Sequence, residues 1–540
     1  MDRTAVRCQG KRMDAPTGVS SNTRRKVLLA CGLLAFAIHL PNLGHSFAWD
    51  DHYLVVHNPA VHSFENAGSW FTEPWAAGAD SEQGRSQNAL YWRPLTQASY
   101  ALDWVLGEGN PALFHATNNA LHSLCTALVA LLAMLLASRL PGGAQTTRGI
   151  AASGLIAGLL FAVHAVHSEA VHLITYRTTL IASAGVLGGL CLHVARPRGA
   201  PLLVALTLAL GLMGKEDALV LPGLLIVADI TLGRHRDPWK ELLRRHAPAW
   251  CVVAVHLMLR SALTASAPLD FFAGQDLATK VWTMASVYLL DLRLLLLPWP
   301  LTPFYDWSLV PYLDSFFAPE AFLGTVLLLG TIGVGLHGLR QQRPLPVLLS
   351  GFLLVSLTPY SHVLTFFDVA GERFLYLPSV ALCLGLGLAG GPRVLGPRAL
   401  PWRSGLMALF LLYSALTVIR TPDLASTRSL LEATVRDLPH AFSARYELGR
   451  LDLLADRPQD AAEHFRVAYT NLPLPVAALC LAEALRRDGR DEEGRAFLRE
   501  EVARLGVRAP QIYAVTAREG GGNHAPPIQC DLNVPLEGGR

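Results

Sequence analysis

The chain has 540 residues, 51% of them hydrophobic and only 16% charged, with a mean hydropathy of +0.33. A soluble enzyme needs a more polar surface than this, so lipid is the solvent for most of the chain. A net charge of +3 gives no electrostatic footprint for a nucleic acid, and the basic residues sit in short clusters between apolar runs, where they report topology.

Apolar runs recur near 27–43, 113–138, 150–170, 177–195, 201–213, 217–232, 247–264, 319–338, 345–360, 374–390 and 404–420. Each is read as a spanning helix, which needs roughly 17–25 residues. The sequence therefore predicts an all-α, polytopic membrane helix bundle of about eleven spans over 27–420. Arg24-Arg25-Lys26 precedes the first run and no small-residue cleavage site follows it, so that run reads as an uncleaved anchor with 1–26 in the cytoplasm. Counting on from there places Arg139/Arg148, Arg196/Arg198, Arg234 to Arg245, Arg340/Arg343 and Arg393/Arg398/Arg403 on the cytoplasmic side. This holds if 281–297, which carries Asp291 and Arg293 in mid-run, is re-entrant or interfacial rather than a crossing. The opposite side, periplasm or endoplasmic reticulum lumen, receives the large loop 44–112, then 170–177, 214–217, 265–318, 361–373 and everything after 420. The large loop alternates aromatic and amphipathic stretches (Trp70-Phe71, Trp75, Tyr91-Trp92), as helices lying on a membrane surface do.

After Arg420 the composition turns to Ala, Leu, Arg and Glu. Pro439 recurs as Pro473 and Ala462 as Ala496, the 34-residue tetratricopeptide period. Two repeats, 439–472 and 473–506, are expected within a helical domain 421–517, an α-solenoid that recognises extended peptides or partner proteins rather than doing chemistry. The tail 518–540, with Gly520-Gly521-Gly522 and Pro526-Pro527, reads as disordered. The eight cysteines lie in apolar runs or far apart without ligand spacing, so neither a disulfide framework nor a zinc site is inferred.

The polar residues able to do chemistry collect on the non-cytoplasmic side. Asp50-Asp51, just beyond the first run, is either a pair of solvated loop charges or a general base whose pKa burial among aromatics raises. His164, His167, Glu169 and His172 close the third run; H-x-x-H can hold a metal only with a ligand from another helix, and lining a site by hydrogen bonds is the favoured reading. Arg177 follows, with an exposed interfacial arginine as the plain alternative. Lys215-Glu216-Asp217 interrupts two short apolar runs, where unpaired charges at a helix centre cost roughly 2.5–3.5 kcal/mol each, so the cluster faces a cavity or forms a connecting turn. Glu372-Arg373 is a carboxylate and guanidinium pair on the same side, equally readable as a salt bridge.

In order along the chain, Trp49-Asp50-Asp51 with Asn58-Pro59, Tyr91-Trp92-Arg93-Pro94-Leu95-Thr96, and Phe114-His115 with Asn118 and Leu121-His122 come first. They are followed by His164-Ala165-Val166-His167-Ser168-Glu169-Ala170-Val171, Lys215-Glu216, Asp306-Trp307-Ser308 and Glu372-Arg373 through Ser379. This series resembles the TMTC-type transmembrane and tetratricopeptide protein O-mannosyltransferases, within the GT-C class of glycosyltransferases that use lipid-phosphate sugars. Two departures stand out: Ala165 replaces the family's proline, and no acidic residue follows Arg177 in Arg177-Thr178-Thr179-Leu180. The short repeat region suggests a bacterial relative in the inner membrane, or an endoplasmic reticulum protein if the chain is eukaryotic.

The resemblance implies transfer of a sugar, mannose in the family, from a polyprenyl-phosphate carrier to an acceptor, expected to be a protein Ser/Thr hydroxyl, outside the cytoplasm. Asp51 or Asp50 is then the base, Asp51 slightly preferred. The leaving phosphate needs cations, for which Arg93, Arg177, Lys215 and Arg373 are available, and His164, His167, Glu169, Glu216 and Glu372 line the site. No cofactor is assigned and a divalent metal is left open; the expected partners are the bilayer, the lipid-linked sugar and a protein bound by the repeats. A non-enzymatic scaffold and a transporter are the competing readings. An anchor has no use for acids, histidines and cations on one face, and a transporter should show an inverted repeat.

Overall fold

The computed structural model describes residues 18–75, 77–79, 91–140, 146–264, 271–363 and 368–505; the tail 518–540 lies outside them. Among the described residues all regular structure is helical, with no strand, so the protein is all-α. In chain order the principal helices are α1 (Ser21–Ile38), α2 (Pro94–Gly107), α3 (Pro111–Ala137), α4 (Thr147–Ala162), α5 (Arg177–Ala195), α6 (Ala200–Leu212), α7 (Leu221–Thr231), α8 (Trp239–Leu263) and α9 (Leu277–Leu296). There follow α10 (Pro319–Arg340), α11 (Pro344–Leu357), α12 (Ser379–Arg393), α13 (Ala399–Arg420), α14 (Thr427–Asp437), α15 (Phe442–Leu454), α16 (Pro458–Asn471), α17 (Pro475–Arg487) and α18 (Asp491–Leu505). Short helical turns occupy much of the loops between them.

The centre of the bundle is α3, apolar in its second half from Ala127 and carrying buried His115, Asn118, Asn119 and His122 in its first, against which α1, α4 and α5 pack. Helix α12 lies along α4, where a Cβ at Gly387 or Gly391 would run into Ser153. In an apolar medium such small-residue contacts let two backbones approach closely. Helix α6 rests on α5 and α8, α7 on α11, and α10 on α9 and α11. Leu329 and Val334 on α10, Met407 and Leu411 on α13 and Leu202 on α6 are exposed, an apolar outer belt suited to lipid.

Five helices are long and apolar enough to cross a bilayer singly, within 111–137, 174–195, 319–340, 372–393 and 399–424. The pair Thr147–Ala162 and Ala165–His172, bent by 53°, makes a sixth if it is one span. The sequence count of about eleven is larger because it includes shorter apolar helices such as α6 and α11.

The two ends of the bundle differ in charge. At one end Arg139 donates to the Ala195 carbonyl, Arg234 to that of His193, and Asp229 is clasped by His193 (2.8 Å), Arg245 (2.7 Å) and His246 (3.0 Å). The other end holds 45–75, 164–177, 214–220, 302–310, 360–363 and 368–377. Helix α9 meets this second end at both of its termini: Lys280 lies over the Phe272 ring, which packs on His362, and its last carbonyls accept from His164 and Tyr413. Between them Tyr288 donates to Thr331, midway along α10.

After Arg420, α15 to α18 form two successive helical hairpins, each helix packed on the next. Equivalent helices start 33 residues apart, at Phe442 and Pro475 and again at Pro458 and Asp491. Their core is Tyr446, Phe465, Cys480 and Leu481 with small alanines, and a Cβ at Gly449 would meet the Phe465 ring. Cys480 is disulfide-bonded, which the scattered cysteine spacing did not suggest.

Candidate functional site

The turn that carries Asp50 and Asp51 is set by Trp49, whose φ of 54° is left-handed. A bulky residue costs about 1–2 kcal/mol there, so its surroundings must impose the conformation. The two acids then differ sharply. Asp51 is fully buried: its Oδ2 accepts from the Ala48 (3.0 Å) and Ile174 (3.4 Å) amides and its Oδ1 from that of Thr175 (2.8 Å). Burial pushes its carboxyl up to about 6 against the pull of these bonds. Asp50 is half-buried, and no described residue donates a hydrogen bond to its carboxylate. Desolvation pushes it up to about 7; Arg373 pulls it down, while Asp51, Asp368 and Glu169 push it further up.

Arg373 is the hub of the charges around Asp50. Its Nη1 lies 2.5 Å from Glu169 Oε1 and its backbone amide donates to Glu169 Oε2 at 2.6 Å. Its Nη2 reaches Asp368 at 2.5 Å, and the guanidinium is flanked by the Tyr176 and Phe374 rings at 4.5 and 4.7 Å. A second cation, Arg93, pairs with Glu216 at 3.0 Å between the rings of Trp75 (4.4 Å) and Tyr91 (4.3 Å). The third, Lys215, pairs with Asp217 at 2.8 Å and donates to Thr179 and the Tyr360 hydroxyl; that hydroxyl also donates to Asp217. Glu372 is fully buried, with Oε1 3.4 Å from Arg420 at the foot of α13.

Beside Arg373 a small crevice with room for about a water molecule (about 10 Å³) lies between α5 and α11, lined by Thr179, Ala182, Ser183 and Val186 on one side and Ser356, Tyr360 and Leu377 on the other. Asp217 and Arg373 also line it.

Arg177 does not line this crevice. It is fully buried, ion-paired with Asp103 at 2.5 Å, and donates to Asn118 Oδ1 (2.7 Å) and to the Ser99 and Phe114 carbonyls. The acid missing after Arg177 in the sequence is supplied from α2, and the guanidinium is spent on joining helices. His164 donates from Nε2 to the Leu295 carbonyl (2.9 Å) and accepts from the Val166 amide at Nδ1. His167 donates from Nδ1 to the Phe161 carbonyl (2.9 Å), with Nε2 2.8 Å from Ser379 Oγ. Both imidazoles have their nitrogens engaged, and among the described residues no group of three or more His, Cys, Asp or Glu is placed to hold a metal ion.

No family model matches the chain. Individual relatives do, along most of its length. It is 26% identical to human protein O-mannosyl-transferase TMTC1 over 563 residues, covering 90% of this chain and 59% of that protein. To mouse protein O-mannosyl-transferase TMTC4 it is 26% identical over 492 residues, covering 80% of this chain and 64% of that protein. To protein O-mannosyl-transferase Tmtc2 of Drosophila melanogaster it is 29% identical over 313 residues, 52% of this chain and 30% of that protein. These similarities support a TMTC-type protein. It spans about 59% of the length of the human relative.

In this chain the sequence-selected residues Asp50, Arg93, Glu169, Lys215, Glu216 and Arg373 share one end of the bundle. Asp368, Tyr176 and Tyr360 complete their pairings, Asp103 completes that of Arg177, and none of the four was selected from the sequence. Each is a single residue in a loop or helix, without spacing to mark it, and its partner is more than 70 positions away except for Asp368, five from Arg373.

Proposed function

We propose that this chain is a membrane glycosyltransferase that moves a sugar, mannose on the model of its relatives, from a polyprenyl-phosphate carrier to a protein Ser or Thr hydroxyl. The observation that carries the reading is Asp50: a half-buried carboxylate free of hydrogen bonds from the described residues, beside Arg373. The phosphate of the carrier meets Arg373, Lys215 and Arg93, arginine being suited to bidentate phosphate contact. Asp50 takes the acceptor proton as the acceptor oxygen bonds to the anomeric carbon, and the carbon–oxygen bond to phosphate breaks, the electron pair leaving on the phosphate. The cations stabilise that charge as it develops. Asp51, whose oxygens are committed to three amides, shapes the turn; this reverses the sequence preference between the two acids.

The site end is assigned to the non-cytoplasmic side. The basic loops gather at the opposite end, as the positive-inside rule requires of a cytoplasmic face. The C-terminal hairpins adjoin the site end through Phe442 and Ser443 on Ser308 and Asp306. The hairpins are read as tetratricopeptide-like and as the acceptor-recognising part. The test is turnover of polyprenyl-phosphate mannose with a Ser/Thr peptide by the purified chain in detergent. Asp50→Asn is expected to lose on the order of 10²–10⁴-fold in rate with donor binding retained. Turnover by Asp50→Asn at the wild-type rate would return the residue to an ordinary loop charge.

A further inference from the structure

The region after Arg420 touches the turn that carries Asp50, not only its surroundings. The Trp49 amide donates to Thr427 Oγ1 at 2.8 Å, and Ser46 donates to the Ala425 carbonyl from both its amide (3.1 Å) and its hydroxyl (3.0 Å). The Trp49 ring meets Phe304 edge-on at 4.7 Å, inside a cluster with Leu424, Leu430 and Leu431. The segment that brings Phe304 is itself tied down: Asp306 Oδ2 accepts from the Ser443 amide at 2.8 Å and Ser308 Oγ from that of Phe442 at 3.0 Å. The left-handed φ of Trp49 is thus held from one side by α14 and from the other by 302–308, both anchored in the C-terminal helices.

We propose that Thr427, at the start of α14, is a positioning residue for the transfer reaction: by fixing the Trp49 amide it aims the adjacent Asp50 carboxylate. This rests on the reading of Asp50 as the base. It extends the role of the C-terminal helices from holding an acceptor to setting the catalytic geometry, so their integrity matters for a short peptide acceptor as much as for a protein.

The test compares full-length wild type with Thr427→Val, Thr427→Ser and Asp50→Asn, with polyprenyl-phosphate mannose and a Ser/Thr peptide. Thr427→Val keeps the volume of this half-buried side chain and removes its acceptor oxygen. It is expected to lower kcat about tenfold with KM for the donor unchanged and the acid limb of the pH–rate profile displaced, while Thr427→Ser restores both. If Asp50→Asn is inactive but Thr427→Val keeps wild-type kcat and pH profile, or if Ser and Val are equally impaired, the positioning role is overturned and the base assignment stands. An active Asp50→Asn, or a wild type inert towards this donor, overturns the functional reading and this inference with it.

Discussion

Burial decides what each charged residue of this chain does. Arg177 looks in the sequence like a phosphate ligand, yet it has no exposed surface and its guanidinium is consumed by Asp103, Asn118 and two carbonyls. Removing one partner of such a buried pair leaves the other charge unpaired, at a cost of about 3–5 kcal/mol. Asp103→Ala is therefore expected to lower the unfolding temperature markedly in a thermal scan. Any purified folded fraction should bind the lipid donor as the wild type does; weakened donor binding with unchanged stability would put Arg177 back at the phosphate. Asp50 shows the opposite balance, open on one side and short of donors, with its carboxyl pushed up to about 7. A base must be deprotonated to act, so kcat/KM should fall about tenfold per pH unit below that value and level off above it. A rate flat from pH 5 to 8 would mean that another group takes the proton.

Among the elements, α9 shows what sequence carries and what it does not. Asp291 and Arg293 marked it in the sequence as unlike its neighbours, and a helix with three charges in 20 residues lies more cheaply along an interface than across a bilayer. That contrast in charge was legible. The apolar helices were legible too, because lipid demands long runs of one kind of side chain. What escaped was partnership: Arg177 with Asp103, Lys215 with Asp217 and Tyr360, Trp49 with Thr427. Each pairing depends on which helices adjoin, and hydropathy is blind to that. The histidines illustrate the same point. His39 and His172, 2.8 Å apart, and the Asn42–Asn119 pair fasten the first loop to α3 and the turn after α4, yet in the sequence His172 stands with the candidate chemistry of 164–172. The placement of α9 is checked with single cysteines at Lys280 and Arg293 in intact membranes. Both should react with an impermeant maleimide added from the same side. Labelling of the two from opposite sides would show that α9 crosses.

For the whole molecule, the hydrogen bonds from 425–427 to 46–49 and from 442–443 to 306–308 place the C-terminal helices at the same end as Asp50. Arg234 and Arg245 lie at the other end, around Asp229. These two facts are independent of any choice of inside and outside, so Arg236 and the C-terminus of α18 must report opposite sides of the membrane whichever way the bundle is inserted. Charge gives the expected sign. By the positive-inside rule the Arg-rich loops at the Asp229 end should resist translocation, while the end with Asp50 balances its cations with Glu169, Glu216, Asp217 and Asp368. A reporter active only in the cytoplasm should therefore be bright when inserted after Arg236 and silent when fused after Arg504. Two bright fusions would break the architecture itself, because they would separate the C-terminal helices from the acid they hold. The reverse pattern, silent at 236 and bright at 504, would keep the architecture and turn it over, moving Asp50 and its acceptor to the cytoplasmic face.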